Sequence, residues 1–197
     1  MILISYDLSG IFFMENCTTS DVNSASVCRN ADLDESLHAV GIYHITCFGA
    51  DGKLKWSDDA PNLVVDQGKN AMLDTYFSGT GYSGAFYMSL ITAGTPVAAS
   101  TYAAPGITET SNAVIASRGG MTWVAASGGV KDAAMTSFAI TGTATLTGNM
   151  VVSGSDAATV ADTTVSDGIL FSCATFSAGS KPVTAGDTLN VVYSIGL

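Results

Sequence analysis

Two histidines, four cysteines and a scatter of carboxylates are the residues in this chain whose chemistry could go beyond packing. His38 and His44 sit six apart in a stretch that reads as a β-strand, so they point the same way but lie about 20 Å apart at strand rise. They cannot share one metal ion while that strand is intact, and no nearby cysteines complete a zinc set. Each is expected to be a polar edge or interface residue. Serines and aspartates are plentiful, but there is no G-x-S-x-G elbow and neither histidine follows a strand on a loop, so a nucleophilic triad is not expected. The acidic cluster Asp32, Asp34 and Glu35 lacks the glycine and the distant bidentate glutamate of a calcium loop. Asp58-Asp59, between Trp56 and Pro61, reads as a solvated turn. Ser78-Gly79-Thr80-Gly81 leads into a strand pattern and lacks the Lys-Ser/Thr pair of a phosphate loop. The residues therefore assign no catalytic group, no metal ligand and no cofactor, and the expectation is a protein that is not an enzyme.

Cys47 and Cys173 fall inside apolar strand patterns and read as buried free thiols. A Cys17–Cys28 bridge would need an oxidising compartment, and the opening Met1–Asp7 has no basic region of the kind that starts a secretory signal.

Composition narrows the function classes. Hydrophobic residues make up 47% of the 197-residue chain and charged residues 12%, about half the usual charged share. Disorder needs the opposite balance. The net charge is −10, with seven scattered Lys and Arg, so neither the counterion release of nucleic-acid binding nor attraction to an anionic membrane is available. No apolar run approaches the roughly 20 residues of a membrane span. A neutral surface rich in Ser, Thr, Ala and Gly repels neighbours weakly, as suits a protein whose surface becomes interface.

Residues 1–37 carry apolar clusters at Ile2–Ile4 and Ile11–Phe13, a polar stretch and then the acidic cluster, without a sustained period. They read either as a loose leader or as an arm that docks Leu3, Tyr6, Phe12 and Phe13 on a neighbour. Residues 38–197 read as one mainly β domain, an antiparallel β-sandwich or jelly roll with one short helix. His38–Phe48 and Leu54–Trp56 flank an Asp51-Gly52 hairpin turn. Both alternation registers of the first strand carry apolar side chains (Val40, Ile42 and Phe48; Ile45 and Cys47), which predicts cover on both faces. A helix is expected over 66–77, capped by Asp66 or Asn70, ended at Gly79, with Met72, Leu73, Tyr76 and Phe77 on its apolar face.

Further strands are expected at 85–91, 135–141, 143–152, 169–176 and 189–195. In 143–152 the alternation puts Ala144, Leu146, Met150 and Val152 inward, and Thr143, Thr145, Thr147 and Asn149 outward. Two long connections remain, 92–112 and 153–167. The first carries a single charge, Glu109, which tilts it and its Tyr102 toward an interface. Trp56 reads as core; Trp123, among glycines, reads either as core or as an exposed anchor.

The domain resembles a group of small structural proteins of tailed bacteriophages. The blocks that carry the resemblance are Gly41–Trp56 (GIYHITCFGADGKLKW), Asn62–Val65, Gly68–Asp74 (GKNAMLD), Tyr87–Ile91 and Gly186–Tyr193 (GDTLNVVY). The resemblance implies a virion component, and a small acidic sandwich suits a capsid cement or decoration protein on the outer head surface. Its partners would be the major capsid protein or another virion protein and copies of itself, with a trimer favoured, and it would meet them through sheet edges and an extended arm. A tail, adaptor or fibre-associated role, or a host-surface glycan-binding module, is the alternative. Residues 1–37 depart from the pattern.

Overall fold

The chain divides into two units, residues 1–37 and 38–197. The structure, a computed structural model, describes residues 39–78, 85–154 and 168–196. Leu3, Tyr6, Phe12, Phe13, Cys17, Cys28, His38 and Gly79 therefore lie outside the described residues, as does most of the 153–167 connection.

Thirteen strands and one helix follow in chain order among the described residues: β1 (Val40–Phe48), β2 (Leu54–Pro61), β3 (Leu63–Val64), α1 (Asp66–Ser78), β4 (Phe86–Gly94), β5 (Ile107–Glu109), β6 (Gly119–Gly120), β7 (Val130–Asp132), β8 (Thr136–Ala139), β9 (Ala144–Leu146), β10 (Gly148–Ser153), β11 (Ile169–Thr175), β12 (Lys181–Val183) and β13 (Thr188–Gly196). The fold is mainly β and antiparallel. One sheet runs β2-β1-β13-β7, with β8 also on β13; the other runs β3-β11-β10-β4-β5, with β6 also on β4; β9 and β12 pair separately. Tyr43, Ile45, Leu189, Val191 and Tyr193 of the first sheet pack with Met88, Leu90, Val151 and Phe171 of the second in one buried core. This is the sandwich that the strand and turn pattern predicts.

The expected hairpin forms. Gly52 takes φ +77°, Gly49 N–H donates to the Lys53 carbonyl at 2.8 Å, and Lys53 N–H is met by the Asp51 carboxylate at 3.0 Å. The return strand is longer than expected and absorbs Asp58 and Asp59. Asp58 is buried, not a solvated turn residue: it accepts Ala178 N–H at 3.1 Å and faces Lys181 Nζ at 3.4 Å.

Inside the core, Tyr43 and Tyr193 stack with ring centroids 4.7 Å apart. The Tyr43 hydroxyl lies 2.7 Å from Ser172 Oγ, which ties the two sheets, and Asn62 donates to the Tyr193 hydroxyl at 2.7 Å. Burial, reinforced by the neighbouring Tyr193, pushes the Tyr43 phenol well up. Burial likewise pushes the Cys47 thiol up to about 11 and Cys173 up to about 12, so both are the inert free thiols expected.

Three local expectations need correction. Leu73, placed on the apolar face of α1, is 53% exposed, while its neighbour Met72 packs on the core. The expected 143–152 strand is two strands in different sheets, parted at Thr147, whose N–H donates to Ile91 O at 2.7 Å. Asn149, expected outward, is fully buried: β10 lies between β11 and β4 and is covered on both faces, so alternation no longer separates inside from outside.

The turn before β13 is held by Asp187. Its carboxylate is 2% exposed and accepts Thr184 N–H at 2.8 Å, the Thr184 hydroxyl and Lys55 Nζ. Burial alone would raise its pKa, but the Lys55 and Thr184 contacts outweigh burial and hold it below the ordinary 3.8. A carboxylate with a depressed folded pKa stabilises the fold above its unfolded value, and that contribution fades as pH falls through the folded one. Asp187→Asn is therefore expected to cost about 1.5–3 kcal/mol at neutral pH. The gap to wild type should narrow below about pH 3.8 in urea titrations; a gap independent of pH would contradict this.

Candidate functional site

The two outer faces of the sandwich are unlike. The outer face of the second sheet is covered by its own chain. Residues 95–106 leave β4 and return to β5 as a compact loop closed at its neck, where Gly94 (φ +91°) leaves no room for a Cβ, which would sit 2.5 Å from Gly106 O. Tyr102, 5% exposed, packs with Ile91, Met150, Val152, Leu170 and Cys173 in a second buried cluster beneath this loop. Gln67 Oε1 accepts both Tyr102 N–H and Leu170 N–H at 2.9 Å, joining loop, helix and strand.

Arg118 and Glu109 flank this cluster. Their side chains are 1% and 8% exposed, and Arg118 Nε and Nη2 each donate to a Glu109 carboxylate oxygen at 2.7 Å. Arg118 Nη1 donates to the Tyr102 hydroxyl at 2.8 Å. Burial would lower the guanidinium pKa, but the Glu109 and Tyr102 contacts outweigh it and raise it, so the charge stays in place. A pocket of about 330 Å³, part of it open to solvent, lies alongside with apolar walls from Ile107, Met150, Val152 and Leu170. The Arg118 fork is spent on Glu109, so what this arrangement does chemically is clamp the loop to the sheet. The low charge of the 92–112 connection thus has an explanation inside the chain, and Tyr102 serves that interior. Glu109 and Arg118 are the only charges between Asp74 and Lys131. Two lone opposite charges in an otherwise neutral stretch were the available signal for a buried pair.

The outer face of the first sheet is different. Directly opposed residues in an antiparallel sheet share a face, so the registers assign it. The outward rows are Val40–Gly196–Val130, Pro61–Ile42–Ser194–Asp132, Asp59–His44–Val192, Ser57–Thr46–Asn190–Ser137 and Leu54–Phe48–Thr188–Ala139. The inward rows centre on Tyr43–Tyr193, Ile45–Val191 and Cys47–Leu189, all buried. On the outward face Val40 is 61% exposed, Leu54 58% and Val130 41%, while Ile42, Phe48 and Val192 are half-buried. Its only charged groups are Asp132 and Asp59, the latter 2.8 Å from His44 Nδ1. His44 is thus on an open face, paired across the strand. The expected cover on both faces of β1 is not supplied by any described residue.

The sheet edges offer little to an incoming strand. β2, the longest edge, carries Asp58, Asp59 and Pro61; the Asp59 carbonyl already accepts the Ser177 hydroxyl at 2.7 Å, and Trp56 Nε1 donates to Pro182 O at 3.1 Å. At the other edges of the two large sheets, β3 and β6 have two residues each, β5 and β7 three and β8 four.

Trp56 is half-buried against Phe176, 5.7 Å between centroids, beside the Lys181 ammonium. Trp123 packs edge-on to Phe86 at 5.2 Å and to Tyr193 at 6.0 Å, so of its two readings the structure favours core. Among the described residues no group of three His, Cys, Asp or Glu is placed to hold a metal ion, and no helix is long and apolar enough to cross a membrane.

Fold and face together define a class: an antiparallel β-sandwich with one outer face covered by its own loop and the other built of apolar and neutral polar residues, charge-poor and open among the described residues. Compared with known protein families, curated proteins and solved structures, the chain matches none.

Proposed function

We propose that this chain is a structural protein of a tailed-bacteriophage particle, acting as a cement or decoration protein on the outer surface of the head. The observation that carries the contact role is the outward face of the first sheet, whose first strand has the sequence of a buried strand while no described residue covers it. The phage assignment rests on the resemblance of residues 38–197 described above. The partners are the major capsid protein or another virion protein, together with copies of the chain itself. Binding is burial of apolar and neutral polar surface, and repetition over the head multiplies a modest contact into firm attachment.

Copy number tests this. Gel densitometry of purified particles should give on the order of hundreds of copies per head for a cement protein, against about 3 to 18 for a tail, adaptor or fibre component. A count in the lower range would move the chain to the tail, absence from particles would end the virion reading, and strong selective binding on a glycan array would replace it with host-surface recognition.

A further inference from the structure

We infer that the outward face of the first sheet is where two copies of this chain meet, face to face about a two-fold axis; this rests on the structural role proposed above and names its self-contact. Size comes first. β1 and β13 have nine residues each, β2 eight, and β7 with β8 fill the fourth position, a face of about 30 by 19 Å, and the two faces together clear the about 1,000 Å² that a specific interface needs. Charge comes second. The chain carries −10 overall, yet this face has no Lys or Arg and only two carboxylates, Asp59 beside His44 and Asp132 at one margin. Two copies of an acidic protein repel least through such a surface.

Symmetry comes third. The other outer face is closed by residues 95–106, and the strand edges are short or blocked, so among the described residues this one broad sheet face is left. A single patch that meets itself closes a two-fold pair, whereas a three-fold ring needs two different complementary patches. The structure therefore points to a pair where the sequence resemblance pointed to a trimer. In the pair, the outward rows of one copy, from Ile42 and Val192 across the neutral polar Thr46–Asn190 row to Phe48, face the same rows of the other at the roughly 10 Å spacing of stacked sheets.

The experiment is sedimentation equilibrium of the full chain and three variants. Wild type is expected at twice the chain mass. Val192→Asp puts a charge at the middle of the face without touching the core, and should give a monomer with unchanged circular dichroism and melting temperature. Thr46→Arg, in the next row, should do the same and stands in should the first variant not fold. Leu73→Asp, at a more exposed apolar position on the helix, should remain a pair. A monomeric or trimeric wild type, or a Val192→Asp pair, would overturn the inference. So would a monomeric wild type whose melting temperature falls in Val192→Asp, since the face would then have its occupant within one molecule. Peptide mass spectrometry of purified particles reads the virion role separately: a pair absent from particles sinks that role alone, and a particle-borne monomer sinks the pairing alone.

Discussion

Arg118→Ala is expected to lower the free energy of unfolding by about 3–5 kcal/mol, one of the two largest effects of a single substitution in this protein. The arginine is not costly to lose because ion pairs are intrinsically strong. Removing it leaves the Glu109 carboxylate, 8% exposed, without its two 2.7 Å donors, and takes a donor from the Tyr102 hydroxyl. A buried charge stripped of its partner carries its full desolvation penalty. The double variant Arg118→Met with Glu109→Leu removes both charges at similar volume and should recover most of the loss, because an apolar pair owes no desolvation. Urea unfolding of the two variants makes the comparison. If Arg118→Ala cost under about 1 kcal/mol, the pair would be behaving as an exposed one and the clamp on residues 95–106 would be refuted.

Gly148→Ala should be as damaging for an unrelated reason. Gly148 opens β10 in the middle of the second sheet, between Thr175 of β11 and Ile91 of β4. A Cβ there would stand 1.9 Å from the Ala174 carbonyl oxygen and 3.0 Å from its carbon. The obstacle is backbone, so no side-chain rotation relieves it, and two paired strands would have to separate. The cost is expected at or above the top of the about 1–3 kcal/mol range of ordinary overpacking. Gly120→Ala is the control in the same sheet: its added Cβ meets only Tyr87 Cε1 at 3.9 Å, and the change should be neutral or stabilising by up to about 1 kcal/mol. Equal melting temperatures for the two variants would show that β10 and β11 are more loosely paired than the structure has them.

Much of the candidate face was legible. The two-sided apolar character of 40–48 predicted a strand wanting cover on both faces, and the structure supplies cover on the inward one through Tyr43, Ile45 and Cys47. The rest of the face could not be read off, because it is made by lateral neighbours. Val192, Val130 and Ala139 lie more than eighty residues along the chain from Ile42 and Phe48, and join them only through the pairings of β13. Tyr102 was singled out for the right reason, a large aromatic ring in a charge-poor loop, but the surface that loop covers belongs to its own sheet. The Arg118–Glu109 pair was visible as two isolated charges and was not joined.

Residue pattern alone determined the mainly β character and the long strands β1, β4, β11 and β13, the Asp51-Gly52 hairpin, the buried free thiols at Cys47 and Cys173, and the low surface charge. Each follows from local backbone preference or from side-chain solvation, which act within a few residues. Tertiary structure alone decided which sheet each strand joined, that Asn149 points into a doubly covered strand, that residues 95–106 seal one face, and that the other stays open among the described residues. Those outcomes depend on register and on lateral order. A period-two pattern says which side chains share a face but carries no information on what lies against it.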